Sequence, residues 1–461
     1  MSENALPDEE QPAAKIAVAL LLTALLATLW VVPLHAVPFH YDDWSYLGDL
    51  GRQPLWRCAL APASGHFMPI SKFAYGGLLQ LTGFNSVPIS FIQWAARVIG
   101  TLLLALTLRR AGCLTSAAVL VLLAAAFNEV GIRGVFRWPW EFALETCLLS
   151  YSVAIYAICR YFELPRPRFL GMAVVAAACT GWSFGAGVAL TATIAGTALL
   201  GSFLGPAPRE AKTRTLTILL GAVAASVLVT TIIAGVTADR DSLATVGGLS
   251  ASFHGVLRYF AYLYLVNSSP SGLLMGVTPG VVNAIFTVIC SLTCLLVLTS
   301  EAPPPRKLCA AALVSGHAVL TAVIAVSRWQ YGIQHTGSSR YVYTNIWFQM
   351  PMLAIALQEL NDRCRPRMSV ARALARSTGL LVAMGIFALA FIGGIQGKAL
   401  AIAAEDQQRA CIDATLTSVA TPPCLSTVCG KCSGDLVRAT ASVVDIKPRG
   451  GSPEGGAPAS K

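Results

Sequence analysis

Apolar runs of roughly 17 to 25 residues, the length that crosses a hydrocarbon core, recur along most of this chain with short polar segments between them. That pattern leaves few folds open, because backbone in lipid must satisfy its own hydrogen bonds and does so as helix or closed barrel. Continuous apolar runs, not alternating ones, select helix. Charge content agrees: 12% of the 461 residues are Asp, Glu, Lys or Arg, against about 25% in soluble domains. The expectation is an all-α, polytopic transmembrane protein of about eleven spans. They fall near 16–34, 87–108, 112–128, 142–160, a hairpin of two within 169–204, 215–236, 279–299, 308–326, 346–360 and 378–396. The segment "MSENALPDEEQPAAK" is acidic where a secretory signal is basic, and the run after it exceeds a signal's apolar region. It is therefore expected to stay as the first span.

Basic residues set the orientation. Lys15, Arg109, Arg110, Arg160, Arg166, Arg168, Arg209, Lys212, Arg214, Arg306, Lys307 and Arg363 to Arg376 lie in alternate connections, as cytoplasmic loops do. Residues 1–15 are then a cytoplasmic tail, and 16–396 a membrane domain with outer loops 35–85, 129–141, 237–278 and 327–345. Residues 397–461 form an outer tail. The net charge of +10 is on this view a topology signal, and no nucleic-acid partner is expected. The expected location is a bacterial inner (plasma) membrane, with the working face on the periplasmic side.

Seven of the thirteen cysteines lie in predicted spans, and Cys411, Cys424, Cys429 and Cys432 follow the last one. "CLSTVCGKC" is half a zinc ribbon without its second half, so disulfides are favoured in an oxidising compartment, their pairing left open. The end, "KPRGGSPEGGAPASK", is low-complexity and expected to be disordered. No P-loop, H-E-x-x-H or G-x-S-x-G pattern occurs. The sequence therefore requires no cofactor, and a divalent metal stays open.

Three outer loops carry the chemistry. In "PFHYDDWSYL" two acids, Asp42 and Asp43, follow the first span beside His40, and "SGHFMPISKFAY" brings His66 later in the same loop. An acid there can cap a helix beginning at Trp44, with Trp44 and Tyr46 as interfacial anchors. On a helix, adjacent acids point about 100° apart. One is then a general base and the other a hydrogen-bonding or metal-holding group. "NEVGIRGVFRWPWEF" gathers Glu129, Arg133, Arg137, Trp138, Trp140 and Glu141, an interfacial girdle or a place where arginines meet lipid phosphate and tryptophans stack on sugar. "SRWQYGIQHTGSSRYVYTN" offers Arg328, Trp329, His335, Arg340, Tyr341 and Tyr343. The apolar cores hold few ionisable candidates, Arg97, Glu145 and His317.

An acid pair after the first span followed by H-x-x-P, here Asp42, Asp43, His66 and Pro69, resembles the first outer loop of GT-C membrane glycosyltransferases. The likeness is to the protein O-mannosyltransferase and bacterial lipid-linked-sugar branches. Met68 stands where many of those enzymes carry Arg. The resemblance implies transfer of a sugar from a polyprenyl-phosphate donor to a glycan, lipid or protein acceptor on the outer face. Asp42 or Asp43 would be catalytic. His40, His66, Glu129, Arg133, Arg137, Trp138, Arg328, His335, Arg340 and Tyr341 would hold substrate, and membrane lipids would surround the spans. The rival expectations are a transporter or flippase for a lipid-linked glycan, or a non-catalytic membrane protein. A transporter would bury ionisable groups at the midplane, whereas here charge collects at one face.

Overall fold

The computed structural model describes residues 22, 26, 39, 42–62, 67–128, 132, 138–204, 210–238, 249–267, 280–363, 369–418, 424 and 434–443. Among them the chain is all helix. Three short helices come first: α1 (Asp42–Arg52), α2 (Leu55–Leu60) and α3 (Pro69–Leu81). Then follow α4 (Val87–Arg110), α5 (Ser116–Phe127), a 3-10 turn (Pro139–Glu141) running into α6 (Phe142–Glu163), α7 (Pro167–Ser183) and α8 (Gly187–Leu204). The second half holds α9 (Glu210–Ala238), α10 (Leu249–Ala261) with a π-helical turn (Tyr262–Val266), α11 (Gly280–Thr299), α12 (Pro304–Arg328), α13 (Ser339–Arg363), α14 (Ser369–Thr417) and α15 (Gly434–Val443).

Starts and stops follow local chemistry. Proline in the first turn, where a missing N–H costs nothing, opens α3, α4, α7 and α12. Thr115 caps α5 by accepting from the Ala118 backbone N–H at 3.2 Å. Arg109 and Arg110 close α4, where the helix dipole favours cations. The α7–α8 turn is tight: a Cβ on Gly187 would lie 2.0 Å from the Thr180 carbonyl oxygen.

Among the described residues seven helical segments are long and apolar enough to cross a membrane: Val87–Arg110, Pro139–Glu163, Gly187–Leu204, Arg214–Ile233, Gly280–Thr299, Pro304–Arg328 and Ser377–Thr417. This is the architecture of a polytopic, helical integral membrane protein. The expected first span lies outside the described residues except for Leu22 and Leu26. Other expected spans are helices of a different character. Helix α5 has 12 residues and α7 has 17, while α13 buries Asn345, Gln349, Gln358 and Glu359. Burial orders the bundle. The α6 segment is 78% buried and central, whereas those of α9 and α14 are 17% and 22% buried and turn Ile232, Ile233, Leu381 and Ile392 outward.

Charged groups sit at both ends. At one end Arg306 reaches Asp362 (2.8 Å), Glu359 (3.4 Å) and the Ala111 carbonyl (3.0 Å), and Glu163 meets Arg160 and Arg110. These connections, expected on one membrane face, do share one end of the fold.

At the opposite end a second core forms. Helix α14 has 49 residues, about 74 Å at 1.5 Å per residue, well over twice the ~30 Å hydrocarbon thickness. Residues 397–417, expected to begin a tail, instead prolong this helix. Helix α15 packs on both α1 and α14. Cys411, Ile412 and Val437 there join Phe39, Trp44, Tyr46, Leu47 and Tyr75 in one apolar cluster. Cys411 is disulfide-bonded to Cys424. Cys429, Cys432 and the low-complexity end lie outside the described residues.

Candidate functional site

Helix α1 starts at Asp42, two residues earlier than a cap on Trp44 required, so both acids belong to the helix. Asp43 is fully buried and accepts a hydrogen bond from the Tyr75 hydroxyl at 2.6 Å. Trp44 and Tyr46 are not interfacial anchors: they are 1% and 4% exposed. The second core covers them, and their polar atoms are paired within it. Trp44 Nε1 donates to the Phe39 carbonyl at 3.0 Å, and Tyr46 donates to the Lys72 carbonyl at 2.6 Å. Burial pushes the Tyr75 hydroxyl well above its ordinary pKa, with the Asp43 charge adding to the effect.

Lys72 is the unexpected group. It lies three residues after the H-x-x-P stretch, is 3% exposed, and donates from Nζ to the Ala61 carbonyl. Desolvation lowers its pKa to about 8, against the opposing pull of Asp49.

The segment Trp138–Glu141 joins the loops. Trp140 packs against Tyr46 and Tyr75, with ring centroids 5.3 and 5.6 Å away. On its other side Glu141 Oε1 pairs with Arg340 Nη1 at 3.6 Å, and the Arg340 guanidinium lies 5.5 Å from the Trp138 ring and 5.3 Å from the Tyr341 ring. Gln93 holds the segment by donating to the Trp138 carbonyl at 3.1 Å. Three stretches far apart in sequence thus meet at one end of the bundle.

One turn deeper the pairing repeats. Arg97 Nη2 meets Glu145 Oε1 at 2.7 Å, Tyr343 donates to Glu145 Oε2 at 3.1 Å, and Arg97 lies over the Tyr343 ring at 4.2 Å. The polar interruptions Arg97 and Glu145 are therefore one closed unit tying α4, α6 and α13. His317 stands apart: Nε2 pairs with Asn345 Oδ1 at 3.0 Å, and the ring stacks on Tyr264 at 4.3 Å. A cavity of about 480 Å³ adjoins Tyr264 between α8, α11 and α12, lined by Thr193, Thr197, Ser291 and Ser315 among apolar groups. No outer-loop candidate lines it.

Of the expected residues, Asp43, Trp138, Arg340 and Tyr341 are brought into this assembly. Arg328 lies in the last turn of α12. Asp42 and His335 are placed in their helices, while their side chains, and His40, His66, Glu129, Arg133 and Arg137 altogether, lie outside the described residues. Among the described residues no group of three His, Cys, Asp or Glu side chains could hold a metal ion. Sequence reasoning missed Tyr75, Lys72 and the roles of Glu141 and Tyr343. Their signal was spacing: acids at 141 and 145 and partners at 340 and 343 share helix faces. Comparison of the sequence with protein-family models and with curated proteins finds no match to either.

Proposed function

We propose that this chain is a membrane glycosyltransferase of the GT-C kind, moving a sugar from a polyprenyl-phosphate donor to an envelope acceptor. The observation that carries the reading is the Trp138–Glu141 segment, which touches the Asp43–Tyr75 pair's aromatic surroundings through Trp140 and Arg340 through Glu141. Such a transfer needs a carboxylate for the acceptor hydroxyl and positive charge for the leaving phosphate. The helix that carries Asp42 meets this segment through the Tyr46–Trp140 contact, and Arg340 meets it through Glu141.

In this reading Asp43, buried and hydrogen-bonded, anchors α1, and Asp42 is the general base. It takes the proton of the acceptor hydroxyl as that oxygen bonds the anomeric carbon. The bond from that carbon to the phosphate oxygen breaks, and its electron pair leaves on the phosphate, where Arg340 balances the charge. Trp138 offers a ring to the sugar, with His40, His66, Glu129, Arg133, Arg137, Arg328, His335 and Tyr341 assigned to the surrounding substrate site. The Cys411–Cys424 disulfide lies in the same core as α1. Disulfides persist in oxidising compartments, which supports a periplasmic working face on a bacterial inner membrane.

A transporter or flippase for a lipid-linked glycan is the second reading, favoured by the buried Arg97–Glu145 pair, since intramembrane ionisable groups commonly mark transport paths. Against it, that pair is closed by Tyr343. Mass spectrometry of envelope glycans from a strain lacking the protein separates the two. Transferase loss leaves an acceptor short of one sugar while the donor lipid accumulates in the outer leaflet. A donor stranded in the inner leaflet contradicts the transferase reading.

A further inference from the structure

Helices α8 and α11 both pack on α12 but scarcely on each other, and the space between them is the cavity of about 480 Å³ beside Tyr264. It lies in one half of the bundle. On α11 it is lined by Leu295 and Leu298, close to that helix's end, and on α12 by Ala311 and Val314, in that helix's first half. The end of α11 and the start of α12 meet at the short turn before Arg306. The cavity therefore belongs to the Arg306 end of the fold and not to the Asp43–Arg340 end.

Its lining is apolar in effect. Thr193, Thr197 and Ser315 donate their hydroxyl hydrogens to carbonyls of their own helices at 2.8, 2.8 and 2.6 Å, and Ser291 pairs with Tyr264 at 2.8 Å. Water needs two to four polar partners to stay in such a place, whereas an apolar cavity of 150 Å³ already takes up benzene. The cavity also opens sideways toward lipid. Gly196 is exposed at its edge, with nothing within 4 Å of a Cβ placed there, and Leu295 is 47% exposed. Leu199 and Leu292, a turn away on the two walls, face outward as well.

A cation stands over it. Lys307 precedes Ala311 by one helical turn, about 6 Å along the axis, and positions 307, 311, 314 and 318 share one face of α12. Arg306 is spent on Glu359 and Asp362. Lys307 is partly exposed and has no ion-pair partner among the described residues. Basic groups between spans at a membrane surface hold lipid headgroups. A lipid with its headgroup at the Arg340 end would have to reach past the midplane to fill this cavity, while a chain entering from the Arg306 end reaches it directly.

We infer that the cavity is a binding site for a phospholipid of the leaflet at the Arg306 end, one acyl chain lying between α8 and α11 and the phosphate meeting the Lys307 ammonium. The site is separate from the glycosyl-transfer centre and does not depend on that reading.

The test uses the full-length protein in detergent and phosphatidylglycerol with a photoactivatable diazirine at the end of one acyl chain, the cross-linked peptides being mapped by mass spectrometry. In wild type the label should concentrate on residues 193–197, 291–298 and 311–318. Gly196→Leu should lower that labelling roughly tenfold, the effect of displacing about two buried methylenes. It should melt at or above the wild-type temperature, since its Cβ meets nothing and leucine is the better helix former. Gly221→Leu on α9, where a Cβ is equally unopposed, should leave the labelling unchanged. Lys307→Gln should weaken it about fivefold, the usual worth of one basic residue at a membrane surface, and a diacylglycerol with the same label should not respond to that change. Label spread evenly over the lipid-facing α9 and α14, or wild-type labelling in either Gly196→Leu or Lys307→Gln, would overturn the inference. So would displacement by geranylgeranyl phosphate where unlabelled phosphatidylglycerol fails, which would give the cavity to a prenyl tail.

Discussion

Arg340 and Glu141 form an ion pair at 3.6 Å between the first turn of α13 and the turn that opens α6, and Tyr343 and Glu145 repeat the match one turn deeper. The outer pair is partly open, with Arg340 23% exposed, and the inner one is shut. That contrast separates a partly exposed cation from a buried pair that fixes helix register.

Arg340→Ala should lower turnover sharply even at saturating donor, because stabilisation of a leaving phosphate is lost in the transition state. Arg340→Lys should restore only part, since a point charge lacks the planar fork. Arg328→Ala in the same region is the comparison. Wild-type turnover and donor affinity in both alanine variants would make this region a membrane anchor.

The inner unit predicts a stability pattern instead. Glu145→Gln strands the Arg97 charge in a buried site, which commonly costs about 3–5 kcal/mol. Replacing the whole unit (Arg97→Met, Glu145→Leu, Tyr343→Phe) should recover most of that, because apolar groups of similar volume remove the desolvation penalty. Thermal unfolding in detergent reads both. A triple variant no more stable than Glu145→Gln would contradict a closed structural pair.

Lys72 gives a pH signature. Its pKa is lowered from 10.5 to about 8 by burial, so between those values the unfolded chain binds more protons than the folded one. Stability then rises with pH across that window. Lys72→Met should remove this rise while leaving the rest of the profile, as measured by denaturant unfolding at several pH values. An unchanged profile would mean that Lys72 is charged when folded.

The second core should depend on the Cys411–Cys424 bond, whose ends are 13 residues apart. Closing a loop of that size contributes about 3 kcal/mol in the chain-entropy picture. With both cysteines changed to alanine, amide exchange should speed up in α1 and α15, while α4 and α6 stay protected.

The helical, membrane-crossing character was legible because lipid allows few ways to satisfy a backbone, and apolar run length reports them directly. The loop pairing was legible only in part. Arg340, Trp138 and Asp43 stood out as polar groups beside apolar runs, but nothing local tied 340 to 141, which depends on α13 and α6 starting side by side. Tyr75 and Lys72 were not singled out, because nothing in their local sequence sets them apart. Tyr75 is covered by Tyr46, Trp140 and Phe142, and Lys72 reaches the Ala61 carbonyl, contacts made between separate helices. Trp44 and Tyr46 looked like anchors for the same reason: interfacial and core aromatics share one composition, and only the covering helices tell them apart.

The central claim is that a sugar leaves a polyprenyl phosphate here, with Asp42 as base. Purified protein given short-chain polyprenyl-phosphate sugars and extracted envelope acceptor should release free polyprenyl phosphate in step with acceptor glycosylation. Asp42→Asn should cut that rate by about 10²–10⁴-fold, the usual contribution of a positioned base, without changing the melting temperature. Wild-type rates in Asp42→Asn, or intact donor carried across vesicle membranes with no bond broken, would contradict the account.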